Sequence, residues 1–266
     1  MDVLHPHLDD RHGEAKERVR GFFSQHAEHY ARSESHGQGA DLDRLVELLQ
    51  PEPQEVALDV ATAAGHTALR LALRARLVIG LDYTPAMGGP FRRLAAEKGL
   101  GNVRFQVGDA ERLPFADASF DLVTSRRAPH HFPRVEQAVR EMARVLRPGG
   151  RLGIVDMTAL DPAQADLLNA LEAARDDSHV RALTPDQWRA QAEAAGLTVT
   201  TLEVHVEPIP WERWLAPVPP DSPQAARADD ILRQAPAALR SGLVEDRADG
   251  RWLLKRRVVM VARRLR

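Results

Sequence analysis

The chain has 266 residues, 44% of them hydrophobic, and a formal net charge of -2 at pH 7. That is enough to bury the core of one α/β domain with an appendage, and the near-balanced charge supplies no global field toward nucleic acid or anionic lipid. With 0 cysteines, a disulfide framework, a thiolate metal site and a cysteine nucleophile are excluded. No apolar run reaches membrane-spanning length, and the opening MDVLHPHLDDRHGEAKERVR has no apolar signal region. A cytoplasmic protein with no membrane or nucleic-acid partner is expected.

In chain order, residues 14–31 place Val19, Phe22, Phe23, His26 and Tyr30 at helical spacing, which predicts one aromatic face packed on the body of the protein. Tyr30 and the loop ARSESHGQGA, with His36, are positioned to cap a pocket. A second helix over 41–49 stops at Pro51 and Pro53. The stretch 54–84, QEVALDVATAAGHTALRLALRARLVIGLDYT, reads as a strand ending in Asp59, a turn of small residues from Ala61 to Gly65, a helix from His66, and a strand ending in Asp82. In an open parallel sheet a ligand lies beyond the carboxyl ends of the strands, so the turn and both acids meet one ligand.

The next helix, over 84–100, carries Gly88, Gly89 and Pro90 in its first turns, and a late or kinked start near Pro90 is expected. Strands follow at 103–107 and 120–124, the first leading into Gly108, Asp109 and Ala110 and the second into SRRAPHHFP. A helix from Pro133 ends at a turn, Arg147 to Gly150, before a fifth strand over 151–157. Strands alternating with helices predict a doubly wound parallel sheet. Beyond Asp161 come helices over 162–175 and, capped by Thr184, 185–195. A strand over 198–209, a helix over 225–239 and a terminal strand after a turn at 248–250 complete the chain. The bases of RWLLKRRVVMVARRLR read as a solvated strand face, with an anionic partner as the alternative.

The turn has small residues at its first, third and fifth positions, where a dinucleotide turn needs glycine at the first, third and sixth. No phosphate-binding loop or HExxH spacing occurs, so no metal is expected. The histidines are scattered or adjacent, as in His130 and His131, and adjacent residues diverge on a regular element.

Taken together, LDVATAAGHTALRLA, VIGLDYTPAM, VRFQVGDAERLPFADASFDLV, APHHFP and REMARVLRPGGRLGIVD resemble the successive motifs of the class I S-adenosylmethionine-dependent methyltransferases. The similarity is to the branch that includes the ubiquinone/menaquinone biosynthesis C-methyltransferases and bacterial small-molecule methyltransferases. The resemblance implies a seven-stranded Rossmann-like sheet of order 3-2-1-4-5-7-6, with a helical cap over 1–50, a cofactor core over 51–160 and a C-terminal part over 161–266. It implies that the backbone of Ala61, Thr62, Ala63 and Gly65 cradles the methionine part of S-adenosylmethionine, with Asp59 near its amino group. By the same resemblance Asp82 holds the ribose hydroxyls, Tyr83 and Met87 flank the adenine, Asp109 and the Ala110 N–H read its edge, and Ser125 or Arg126 faces the amino-acid end. The family turn is usually GxGxG; AxAxG here predicts weakened binding if Ala63 must adopt a positive φ.

Methyl transfer requires alignment and exclusion of water, with a base only where the acceptor must lose a proton. His130 and His131 are the candidate catalytic residues, and Tyr30, His36 and His179 the candidate acceptor contacts. The expected activity is methylation of a small apolar or aromatic acceptor. The alternative is a catalytically silent cofactor-binding or scaffold protein. Oligomeric state, a homodimer included, stays open.

Overall fold

The computed structural model describes residues 6–33, 37–216 and 218–265, with residues 6–11 described by backbone alone. Five parallel strands, β1 (Val56–Val60), β2 (Leu77–Asp82), β3 (Val103–Val107), β4 (Phe120–Arg126) and β5 (Leu146–Met157), are joined by two long antiparallel ones, β6 (Leu197–Pro210) and β8 (Gly250–Arg264). The order is β3-β2-β1-β4-β5-β8-β6, and a short β7 (Val244–Arg247) hairpins onto β8. The expected seven-strand order is therefore present with one strand added. Strand β1 is buried along its whole length, as a central parallel strand covered on both faces must be.

The helices cover both faces. On one, α2 (Ala40–Leu49), α3 (His66–Ala72) and α4 (Gly88–Glu97) bury Leu45, Leu49, Leu69 and Phe91 against Ala57, Val78 and Val155. On the other, α5 (Val135–Val145) and α7 (Pro185–Ala194) bury Val139, Met142 and Trp188 against Leu58, Val60 and Ile154. Helix α2 lies close to β5 because Gly153 has no side chain: a Cβ there would stand 2.7 Å from Leu45 Cδ1. A third apolar cluster joins α6 (Pro162–Arg175), α8 (Trp211–Leu215) and α9 (Pro223–Gln234) through Leu171, Trp214 and Leu232. The long N-terminal α1 (Pro6–Arg32) lies across the carboxyl ends of the parallel strands, where its Lys16 reaches the loop after β3.

Four expectations about the backbone need correction. Helix α4 starts at Gly88, after a 3-10 turn over Pro85–Met87, because Pro90 falls in the first turn, where a missing N–H costs no hydrogen bond. The segment Arg147–Gly150 is an irregularity within β5, lying between the pairs Phe120–Leu146 and Leu122–Arg151. The helix expected over 225–239 is two, α9 and α10 (Ala237–Leu243), separated at Pro236. The basic face of the last strand is not simply solvated: Arg257 is buried, and Arg264 donates to the carbonyls of Ala143, Arg144 and Leu146.

Candidate active site

The turn after β1 is fastened to β2. Thr62 N–H donates to the Leu81 carbonyl at 2.9 Å, and Ala63 N–H to Asp82 Oδ2 at 2.8 Å. To make both contacts the chain reverses through left-handed conformations at Ala61 (φ 55°), Ala63 (φ 47°) and Gly65 (φ 95°). Only the last is glycine, and there it is required, since a Cβ would lie 2.4 Å from the Phe91 ring. The two alanines carry the left-handed strain that costs L residues about 1–2 kcal/mol each.

Around this turn opens a cleft of about 1000 Å³, walled by the ends of β1, β2 and β4 and roofed by Lys16, Val19, Phe23 and Tyr30 of α1. Four carboxylates border it. Asp59 accepts from Thr62 Oγ1 at 2.6 Å and Thr124 Oγ1 at 2.7 Å, yet burial pushes its pKa up to about 6. Burial raises Asp82 as well, against the N–H groups of Thr84 and Ala63, which take one lone pair on each of its oxygens. The Thr84 hydroxyl takes a further lone pair, and the carboxylate keeps acceptor capacity for a ligand. Asp109 Oδ2 and Glu111 Oε2 hold Lys16 Nζ at 2.7 and 2.5 Å. Burial pulls the Lys16 pKa down, but those two carboxylates raise it overall. Arg126 and Arg127 also border the cleft, and both guanidiniums are committed to the buried Asp41 of α2 at 2.7 to 3.2 Å. A cleft whose cations are already paired and whose acids keep open lone pairs repels a diphosphate. It fits a ligand carrying ammonium, sulfonium and hydroxyl groups.

Asp59, Ala61, Thr62, Ala63, Asp82, Tyr83, Asp109, Ala110 and Arg126 all line this cleft. Gly65, Met87 and Ser125 do not: Gly65 shapes the turn from behind, Met87 is fully buried, and Ser125 Oγ donates to the Val60 carbonyl at 3.0 Å. Ser125 is thus a strand-packing residue, which corrects its expected place at the amino-acid end.

A second cavity, about 1460 Å³ with its open mouth, lies beside the first. Tyr30, Arg127 and His131 border both. The aromatic face of α1 is divided between them, Val19 and Phe23 to the first, Phe22 and His26 to the second, Tyr30 to each. His130 Nδ1 donates to Asp156 Oδ1 at 2.5 Å, and Asp156 is the next-to-last residue of β5. His130 and His131 do not diverge as adjacent residues on a regular element would. They sit in a 3-10 turn over Pro129–His131 with ring centroids 4.0 Å apart. Burial, with the His130 ring beside it, pushes His131 down to about 3, and its Nδ1 donates to the Ser178 carbonyl at 2.9 Å. His179 lines neither cavity; it bonds Asn169 Oδ1 at 2.9 Å, and burial lowers it to about 4. Its ring stands 5.7 Å from that of His130. His36 lies outside the described residues.

Sequence reasoning passed over Asp156, although an acid near the end of the fifth strand was a visible signal of the same kind as Asp59 and Asp82. Lys16, Arg127 and Asp41 carried no local signal, because their partners lie on other elements. Among the described residues no group of three His, Asp or Glu is placed to hold a metal, and no described helix is long and apolar enough to cross a membrane.

A family model described as a methyltransferase domain matches residues 58–154, the span that builds the carboxylate-lined cleft. The chain belongs to the class I S-adenosylmethionine-dependent methyltransferases. It is 40% identical over 194 residues to YcgJ of Bacillus subtilis, an uncharacterized methyltransferase, over 73% of this chain and 77% of that one. The crystal structure of YcgJ superposes with a TM-score of 0.79 at 32% identity, covering 85% of this chain and 98% of that one. A putative methyltransferase from Bacillus halodurans gives a TM-score of 0.80 at 30% identity, over 86% and 100% of the two chains. A demethylmenaquinone methyltransferase of Deinococcus radiodurans is 45% identical over 112 residues, 41% of this chain and 46% of that protein.

Proposed function

We propose that the enzyme methylates a small molecule seated in the second cavity, with S-adenosylmethionine held in the first. The observation that carries this reading is the shared wall: Tyr30, Arg127 and His131 border both spaces, so two ligands would meet there. Asp59, beside the turn, suits the ammonium of the cofactor, Asp82 its ribose hydroxyls, and Asp109 with the Ala110 N–H its adenine edge. When bound, the cofactor supplies an electrophilic methyl carbon on a sulfonium.

The chain's own part is alignment, exclusion of water and proton removal. Phe23 packs edge-on against His131 at 5.1 Å, closing the junction with apolar surface. Burial pushes the Tyr30 phenol up to about 12, so it stays a proton donor. The Asp156 carboxylate fixes His130 with its proton on Nδ1, which leaves the Nε2 lone pair to take a proton from an acceptor hydroxyl or acidic carbon. Asp156 then stabilises the imidazolium that forms.

The test is release of S-adenosylhomocysteine from S-adenosylmethionine with a panel of phenols, quinols and amines, using wild type and His130→Gln. With a phenolic acceptor, kcat in the variant should fall by about 10²–10⁴ while cofactor affinity is retained. An unchanged kcat would remove His130 from the chemistry. Silence toward the whole panel, with tight cofactor binding, would favour the catalytically silent alternative.

A further inference from the structure

The second cavity contains a half-buried cation that makes no ion pair among the described residues. Arg127, Arg175, Arg213, Lys255 and Arg257 line it. Three are paired: Arg175 with Glu172 at 2.7 Å, Arg257 with Glu207, and Arg127 with Asp41 at 2.7 Å. Arg213 is exposed to water. Lys255 is half-buried, and among the described residues its ammonium makes no hydrogen bond and no ion pair, although the Glu172 charge acts on it from further off. It stands opposite Glu207 in the β6–β8 register, but Glu207 is taken by Arg257. Glu172 is taken by Arg175 and by Trp214 Nε1 at 2.9 Å.

The remaining acids of the cavity are occupied by other groups. Asp156 holds His130, and Asp176 Oδ1 accepts from the Ser178 N–H at 2.9 Å and from its hydroxyl at 2.5 Å. Strand register sets the distance between the two ends. Asp156 lies opposite Val258, so Lys255 is three residues further along β8, about 10 Å of strand. The cavity is thus a histidine–carboxylate end at the shared wall and a cationic end remote from it, with Phe22, Tyr30 and Trp214 among its walls.

From this arrangement we infer that the acceptor is a small aromatic carboxylate, its carboxylate received by Lys255 and its reacting end presented to His130. The inference rests on the reading of this cavity as the acceptor site. Of the two cations without an ion pair among the described residues, Arg213 is solvated and Lys255 is the half-buried one, so one half-buried positive charge matches a single negative charge, and the aromatic walls match a ring. Burial, with the like charges of Arg257, Arg175 and Arg127 outweighing the attraction of Glu172, lowers Lys255 to about 8, so a bound anion would favour its charged form. The bases of the last strand then serve the ligand and the fold, and the anionic partner is small.

The test is calorimetric titration of the full chain, with and without saturating S-adenosylhomocysteine. The probes are 4-hydroxybenzoate, the uncharged 4-hydroxybenzamide and inorganic phosphate, and the proteins are wild type, Lys255→Met and Lys255→Arg. Wild type should bind the benzoate in preference to the amide. Lys255→Met should bind it about tenfold to a hundredfold more weakly, and Lys255→Arg should recover most of the loss. Thermal unfolding of Lys255→Met should show a melting temperature no lower than wild type, since an unpaired cation is removed. Equal affinity for benzoate and amide, equal affinity in wild type and Lys255→Met, or Lys255-dependent binding of phosphate alone would each overturn the inference. Lys255-dependent binding of the benzoate without any S-adenosylhomocysteine binding would support the anion site while contradicting the cofactor assignment.

Discussion

Replacing Asp41 with asparagine should be among the most damaging single changes in the molecule. Asp41 sits in the first turn of α2, where the helix N-terminus favours a negative charge. Its carboxylate takes four hydrogen bonds from two guanidiniums, Arg126 at 3.2 and 2.9 Å and Arg127 at 2.7 and 2.8 Å, with Arg257 Nε a further contact at 3.8 Å. All four side chains are 10% exposed or less. A neutral amide in place of the carboxylate would remove the charge that the buried Arg126 and Arg127 share, while Arg257 keeps Glu207. Breaking a buried pair from one side costs about 3–5 kcal/mol, and for a chain of this size each kcal/mol lowers the melting temperature by about 2 °C, so Asp41→Asn should melt about 6–10 °C below wild type at pH 7. The pH dependence adds a second check. Burial alone would raise Asp41, but the three arginines hold it well below the ordinary carboxylate range. A depressed folded pKa gives stability that is present above the unfolded value, about 3.9, and is lost as the pH falls below it. Denaturant unfolding should therefore show a gap between wild type and Asp41→Asn that is full at pH 7 and narrows below about pH 4. A melting shift under about 2 °C, or a gap that does not change with acid, would refute the reasoning.

Other outcomes follow from the turn. Gly65→Ala forces a Cβ into Phe91 at a φ of 95°, which should cost about 2–5 kcal/mol from left-handed strain and overpacking; an unchanged melting temperature would contradict it. Ala63→Gly removes a Cβ from the cleft wall at a φ of 47° and should tighten S-adenosylhomocysteine binding, so equal or weaker affinity by calorimetry would count against the strained-cradle account. Asp59, raised by burial to about 6, holds a proton in the folded state that the unfolded chain has already lost above about pH 4. Its contribution to stability therefore falls as the pH rises from about 4 to 6 and is level above that. Because an ammonium ligand prefers the carboxylate, S-adenosylhomocysteine affinity should weaken as the pH drops through about 6 in wild type. That step should be lost in Asp59→Asn; a step that persists in the variant would assign it to another group.

How much of this was legible in the sequence depends on whether the signal was local. The strand, turn and strand over 56–82 could be read because apolar runs, small residues and terminal acids stand next to one another in the chain. Parallel pairing then carries Asp59, Asp82 and Asp109 to one edge. The convergence of Arg126, Arg127 and Arg257 on Asp41 joins three distant elements, and nothing in the spacing announces it. The same holds for Lys16, more than ninety positions from Asp109. The basic last strand misleads because bases on a strand look alike in sequence whether they face water or a polar cavity. His130 and His131 escape the rule that adjacent residues diverge, because that rule belongs to regular elements and a 3-10 turn does not obey it. Pro90 does not delay its helix, since its position in the first turn tolerates it.

The central claim is that the carboxylate-lined cleft receives S-adenosylmethionine. Calorimetric titration of S-adenosylhomocysteine into wild type and Asp82→Ala tests it most directly, with melting temperatures recorded in parallel. One ligand should bind per wild-type chain. Asp82→Ala should bind at least about tenfold more weakly, on the order of the 1.5–3 kcal/mol of a hydrogen bond to a charged group. Absence of binding to folded wild type, or equal affinity in the two proteins, would contradict the account.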